Sequence, residues 1–159
     1  MSLRIPYDTV KATTKKALMQ AGLSEEQAEI CSTIHSQSSA DGVESHGLNR
    51  ITRFVEYIQK GWVDPQGTPE LKGGKGAVEN YDGHLGIGIT NALYCADRAM
   101  ELAKIHGIGC VTLKNTTHWM RGGTYAWRMA EAGFMGISWI SKAVCRCGEA
   151  MTGVKQSIR

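Results

Sequence analysis

The stretches TNALYCADRAMELAKIHGIGCVTL (90–113) and GTYAWRMAEAGFMGISWI (123–140) decide the fold class. In the first, Leu93, Ala96, Met100 and Ala103 recur at helical spacing over Thr90–His106. Gly107 then supplies a left-handed stop, and Ile108–Leu113 is rich in β-forming residues. The second stretch repeats that order, with a helix over Gly123–Ala132, a stop at Gly133 and a β-rich run over Phe134–Ile140. Helix, strand, helix, strand with short connections predicts an α/β layer with at least two parallel strands. A parallel sheet buries both faces and two strands do not make one alone, so the sheet is expected to be incomplete in this chain.

Upstream the pattern is helical. Residues 6–21 and 24–40 read as helices, the second opening with Ser24-Glu25-Glu26-Gln27, a capping box. Its apolar positions Cys31, Ile34 and Ser38 make it only weakly amphipathic, and Gly42 ends it. Leu48, Ile51, Phe54, Val55 and Ile58 line one face of a third helix that Gly61 closes, which puts His46 in or just before its first turn. The Gly- and Pro-rich residues 62–89 read as turns with short extended pieces around Leu71 and Ala77–Tyr81. The expected organisation is a helical segment over 1–61, a partial α/β domain over 62–144, and a tail over 145–159 without hydrophobic period.

Composition bounds the class of function. With 42% hydrophobic and 21% charged residues among 159, the chain has the make-up of a globular domain that folds without a metal or disulfide staple. A net charge of +3 from scattered Lys and Arg gives no basic stripe for nucleic acid, and it suits an anionic small molecule equally well. No apolar run approaches the ~20 residues of a membrane span, and the N-terminus lacks the apolar segment of a signal peptide. Five cysteines at irregular spacing point to a reduced, cytoplasmic protein. Cys145-Arg146-Cys147 has no second ligand pair at metal spacing, so no metal site is expected.

Two segments carry candidate chemistry. In Ser45-His46-Gly47-Leu48-Asn49-Arg50, a histidine beside a glycine is open to a ligand and its imidazole can exchange a proton near neutrality. Arg50 could hold a carboxylate through its planar fork. A helix-capping histidine beside a solvated arginine explains the same spacing. Asn115-Thr116-Thr117-His118-Trp119-Met120-Arg121-Gly122-Gly123 follows a predicted strand and precedes a helix, where α/β sheets place ligand sites. A polar loop anchored by a buried tryptophan is the alternative there. The pairs Gly86/Gly88 and Gly107/Gly109 lack the third glycine of the dinucleotide fingerprint. His35 and His106 read as structural.

Three stretches together, GVESHGLNRITRFVEYIQKGWVDP (42–65), AMELAKIHGIGCVTLKNTTHWMRGGTYAW (99–127) and AEAGFMGISW (130–139), resemble the malate/L-lactate dehydrogenase family of the non-Rossmann type. The His-Trp-Met-Arg-Gly-Gly form of the second loop is most similar to the branch acting on 2,3-diketo-L-gulonate. The resemblance implies a homodimer that passes a hydride between NADH or NADPH and the carbonyl carbon of a 2-oxo acid. It also implies that His46 and His118 compete for the role of acid/base, that Ser45 and Arg50 line the substrate site with Arg50 as carboxylate clamp, that Arg121 is an anion contact, and that Ser141 touches cofactor. Family members are much longer, and most of their nicotinamide site follows the position of residue 144. Where the family continues with Met-Pro-Pro-Trp-Gly, this chain reads Cys-Arg-Cys-Gly-Glu-Ala, and a back-translation read one nucleotide out of phase gives Met-Pro-Leu-Trp-Gly-Ser. The tail is therefore expected to be frameshifted, with turnover impaired. The rival expectation is a non-catalytic remnant that assembles with related subunits.

Overall fold

In the computed structural model, residues 4–139 are described. Helices α1 (Tyr7–Gln20) and α2 (Glu25–Ala40) form an antiparallel pair, and Ser24 and Gln27 make the reciprocal capping box read from the sequence. Gly42, Gly61 and Gly107 all sit at positive φ just past helix ends, where a Cβ would be strained.

The third helix differs from its expected form. Two 3-10 turns, Glu44–His46 and Leu48–Arg50, precede α3 (Ile51–Gln59). Gly47 is extended between them, so the chain kinks and His46 sits in a turn of its own rather than on the α-helix.

The segment over residues 62–89 holds more β structure than its composition announces. β1 (Glu70–Lys75) and β2 (Val78–Gly86) form an antiparallel hairpin with an irregularity between Leu71 and Gly73. Helix α4 (Gly88–His106) then crosses to β3 (Cys110–Thr116), which pairs parallel to β2 and completes a β-α-β unit. The parallel pair is therefore β2 and β3. The described part of the run beginning at Phe134 forms no strand; Met135, Ile137 and Trp139 face solvent. A strand needs a neighbour for its backbone groups, and β3 is the last strand of the described sheet, order β1-β2-β3. On α4 the buried stripe is Ile89, Ala92, Ala96 and Leu102, rotated from the predicted one, whose members Leu93, Met100 and Ala103 are half-buried.

Two apolar clusters tie these layers together. Leu18, Leu23, Ala28, Cys31 and Phe54 join the helices to Val63, Ile87, Ile89 and Met120. Ala92 and Ala96 of α4 pack on Tyr125 of α5 (Gly123–Glu131). Met120 belongs to the first cluster and Tyr125 to the second, so the loop joining β3 to α5 is fastened at both places. That loop carries His118.

Candidate active site

The His46 turn rests on the C-terminal half of α2. His35, fully buried at 0% exposure, donates from Nδ1 to the Gly47 carbonyl at 3.1 Å. One helical turn later, Ser39 Oγ accepts the Leu48 amide N–H at 2.9 Å. Close packing accompanies the bond, since a Cβ on Gly47 would lie 2.0 Å from Ser39 Oγ. The His46 side chain itself is half-buried, and its Nδ1 is 2.8 Å from Ser45 Oγ. Arg50 donates from Nε to the Ser45 carbonyl at 2.6 Å, which fixes the guanidinium plane and leaves its terminal nitrogens for an anion.

The second loop is built by strain and plugging. Asn115 and Met120 both adopt left-handed φ, at 51° and 65°, a conformation non-glycine residues hold only when their surroundings over-determine it. Met120 is inserted into the helical core, and Trp119 stacks on Tyr125 with ring centroids 4.9 Å apart. The buried anchor is thus Met120, with the tryptophan half-buried beside it. Thr117 Oγ1 accepts the Gly88 N–H and donates to the Gly86 carbonyl, holding the loop to the start of α4. Gly88 passes directly beneath, where a Cβ would come within 2.1 Å of the Thr117 carbonyl oxygen.

These supports bring His46 and His118 together, with ring centroids 5.4 Å apart. His118 Nδ1 accepts the Met120 N–H at 2.9 Å, so the neutral ring carries its proton on Nε2. Partial loss of hydration, reinforced by the positive potentials of His46 and Arg50, holds its pKa below 6.5. Arg50 is tied to the carbonyl of Ser45, the residue immediately before His46. Arg121 is placed differently: its guanidinium is bound to Asp41 at the end of α2, 2.6 Å away. Ser141 lies outside the described residues.

The sequence reading assigned His35 to structure alone, passed over Ser39 and Asp41, and gave Thr117, inside the second candidate segment, no role of its own. Spacing could have flagged His35 and Ser39, which stand four apart on one helix face. Their target, the Gly47–Leu48 peptide, depends on a tertiary contact.

The sequence pattern of malate/L-lactate dehydrogenases matches residues 5–154, a span containing both histidine loops. The chain belongs to the malate/L-lactate dehydrogenase family. The match to this oxidoreductase family reaches into the 145–159 segment set apart above. Among curated relatives, the 2,3-diketo-L-gulonate reductase of Haemophilus influenzae is 41% identical over 137 residues, covering 86% of this chain and 41% of the relative. That of Pasteurella multocida is 42% identical over the same shares. A malate dehydrogenase structure from Pyrococcus horikoshii superposes with a TM-score of 0.79 at 30% identity, covering 82% of this chain and 38% of that one. The chain therefore spans about two-fifths of the length of the relatives it matches.

Dehydrogenases of this family raise the question of a dinucleotide cradle. The glycine pairs do not supply one among the described residues. Gly86 packs on the Gly67 carbonyl and Gly88 on the Thr117 carbonyl, while Gly107 caps α4 and Gly109 packs on the Ala99 carbonyl. An open cleft of about 540 Å³ lies between α4 and the β1–β2 strands, lined by Leu71, Tyr81, Tyr94 and Arg98, and neither histidine lines it. No group of three or more His, Cys, Asp or Glu side chains with metal-binding geometry occurs among the described residues, and no described helix is long and apolar enough to cross a membrane.

Proposed function

We propose that this chain carries the substrate side of a 2-oxo acid reductase site, acting on a compound of the 2,3-diketo-L-gulonate class. The observation that carries the reading is the His46–His118 pair beside Arg50. Arg50 would take the substrate carboxylate on its free terminal nitrogens and set the 2-carbonyl against the imidazoles. His46 is the proton donor in this reading: with Ser45 engaging Nδ1, the proton transferred to the nascent alkoxide leaves from Nε2. His118, held neutral, presents Nε2–H to the same oxygen and polarises it without giving up its proton. Arg121, tied to Asp41, serves the loop in place of the anion contact expected of it.

The hydride donor implied by the family is a reduced nicotinamide, NADH or NADPH. The described residues do not build its cradle, so their contribution stops at binding, orientation and proton delivery. Turnover by the 159 residues alone is accordingly expected to be negligible. A cytoplasmic setting fits the unpaired cysteines Cys31, Cys95 and Cys110.

The test is a titration with oxamate, a non-reducible 2-oxo acid mimic, followed by histidine side-chain NMR. Shifts at His46 and His118 that disappear in Arg50→Met support the reading, and unmoved histidine signals would defeat it. Brisk oxidation of NADH or NADPH with 2,3-diketo-L-gulonate would overturn the half-site.

One further observation favours the assembly reading. Ile105, Ile108, Trp127, Met135 and Trp139 are 66–92% exposed, and isolated globular chains seldom leave so many large apolar groups in water. A homodimer, or assembly with longer subunits of the family, would cover them. Size-exclusion chromatography showing a dilution-resistant monomer would exclude it.

A further inference from the structure

The Gly47–Leu48 peptide is gripped at both of its polar ends by one helix. Its carbonyl takes the His35 Nδ1–H, and its N–H goes to Ser39 Oγ. The same carbonyl also accepts the Arg50 N–H at 3.1 Å, so it holds the turn that leads to the guanidinium. One peptide plane thereby sets the direction of His46 on one side and of Arg50 on the other.

Packing alone does not call for a histidine at position 35. The ring is wholly enclosed against Phe54, its centroid 6.3 Å away, and its Nε2 meets no hydrogen-bond partner among the described residues. A leucine would fill similar space with no polar atom to strand. What a leucine lacks is the Nδ1–H. Burial also holds the His35 pKa below 6.5, so the ring stays neutral, and its bond to a carbonyl fixes the proton on Nδ1. At position 39, a larger side chain has no room beneath Gly47.

We propose that His35 and Ser39 are positioning residues for the His46 site, acting as a clamp that orients the Gly47–Leu48 peptide and through it both His46 and Arg50. The relevance to catalysis rests on the proton-donor reading of His46; the clamp itself is read independently, by amide exchange.

The experiment uses the whole chain and the variants His35→Leu, His35→Asn and Ser39→Ala, each first shown to be folded by its amide spectrum. Ser39→Ala should speed hydrogen exchange at the Leu48 amide by roughly ten-fold, the equivalent of one lost hydrogen bond. His35→Leu should move the His46 ring signals, change their pH profile and weaken oxamate binding. His35→Asn, whose side-chain amide can occupy the place of Nδ1, should restore all three. If His35→Leu unfolds the chain, Ser39→Ala and His35→Asn still carry the test. Leu48 exchange and His46 profiles unchanged from the parent chain in folded variants would overturn the clamp, as would failure of His35→Asn to restore them. A parent chain whose histidines ignore oxamate, yet whose Leu48 exchange responds to Ser39→Ala, would sink the proton-donor reading and leave the clamp standing.

Discussion

The loop bearing His46 and the loop bearing His118 meet at one place but are held there by different means. The first is suspended by hydrogen bonds from α2, with its imidazole tied to the neighbouring Ser45 hydroxyl. The second is wedged, with two strained residues, a methionine driven into the core, and an imidazole whose Nδ1 is spent on its own backbone. Protonating His118 at Nδ1 would break the Met120 bond, whereas the contact between His46 Nδ1 and Ser45 Oγ can be made in either direction. On the proposed reading, that asymmetry would divide the labour between two chemically identical side chains.

The largest test of the contrast is Gly88→Ala. The new Cβ would meet the Thr117 carbonyl oxygen at 2.1 Å and the His118 backbone at 2.7 Å, none of which can rotate away. A loss of about 2–3 kcal/mol in urea denaturation is expected, with His118 signals displaced and His46 signals kept. Gly47→Ala should cost less, about 1–2 kcal/mol, because its obstacle is a serine hydroxyl that can swing aside at the expense of its bond to Leu48. If Gly47→Ala proves the costlier, the suspended loop is the more rigid one and the comparison is reversed.

A pH series probes the imidazoles of His35 and His118 together. His35 and His118 titrate below 6.5 in the folded chain, so the unfolded chain binds more protons as the pH falls past that value. Stability should be full above about 6.5 and decline below it, with His35→Asn flattening the slope. A second decline belongs below about pH 4.5, where Glu79 protonates in the unfolded chain while in the folded one Arg98 and a bond from Tyr81 hold it down to about 2. Calorimetric midpoints that stay level between pH 7 and 5 would contradict the histidine part.

The smallest effect is expected at the two arginines' point of difference. Arg121→Met breaks an exposed ion pair with Asp41 and should leave the denaturation midpoint and oxamate affinity nearly unchanged. Arg50→Met should weaken oxamate roughly ten- to hundred-fold, the range of a charged hydrogen-bonded contact. Equal losses in both variants would return Arg121 to the substrate.

Elements with local signals were legible in the sequence. The capping box of α2, the glycine stops at Gly61 and Gly107, and the helix–strand order around α4 all follow from near neighbours. Extended pieces were read around Leu71 and Ala77–Tyr81, where β1 and β2 lie, but not their pairing as a hairpin, because β1 has every residue exposed and two adjacent glycines, leaving no alternation to read. The run at 134–139 misled for the opposite reason, since it has the composition of a strand without a neighbour among the described residues. The histidine pairing was accessible through family resemblance, whereas the service of His35 and Ser39 to a distant peptide was accessible only from the fold.

Helix α2 contributes Ala28 and Cys31 to the main core and His35 and Ser39 to one histidine loop, and its C-cap Asp41 holds the other. The candidate site therefore has little stability of its own to lose before the rest. Local opening of α2 would release both loops in one event, so their amides should exchange as a single cooperative unit with the helix. Core substitutions far from the histidines, such as Leu18→Ala, would then be felt at the site as a shift in how often it exists at all.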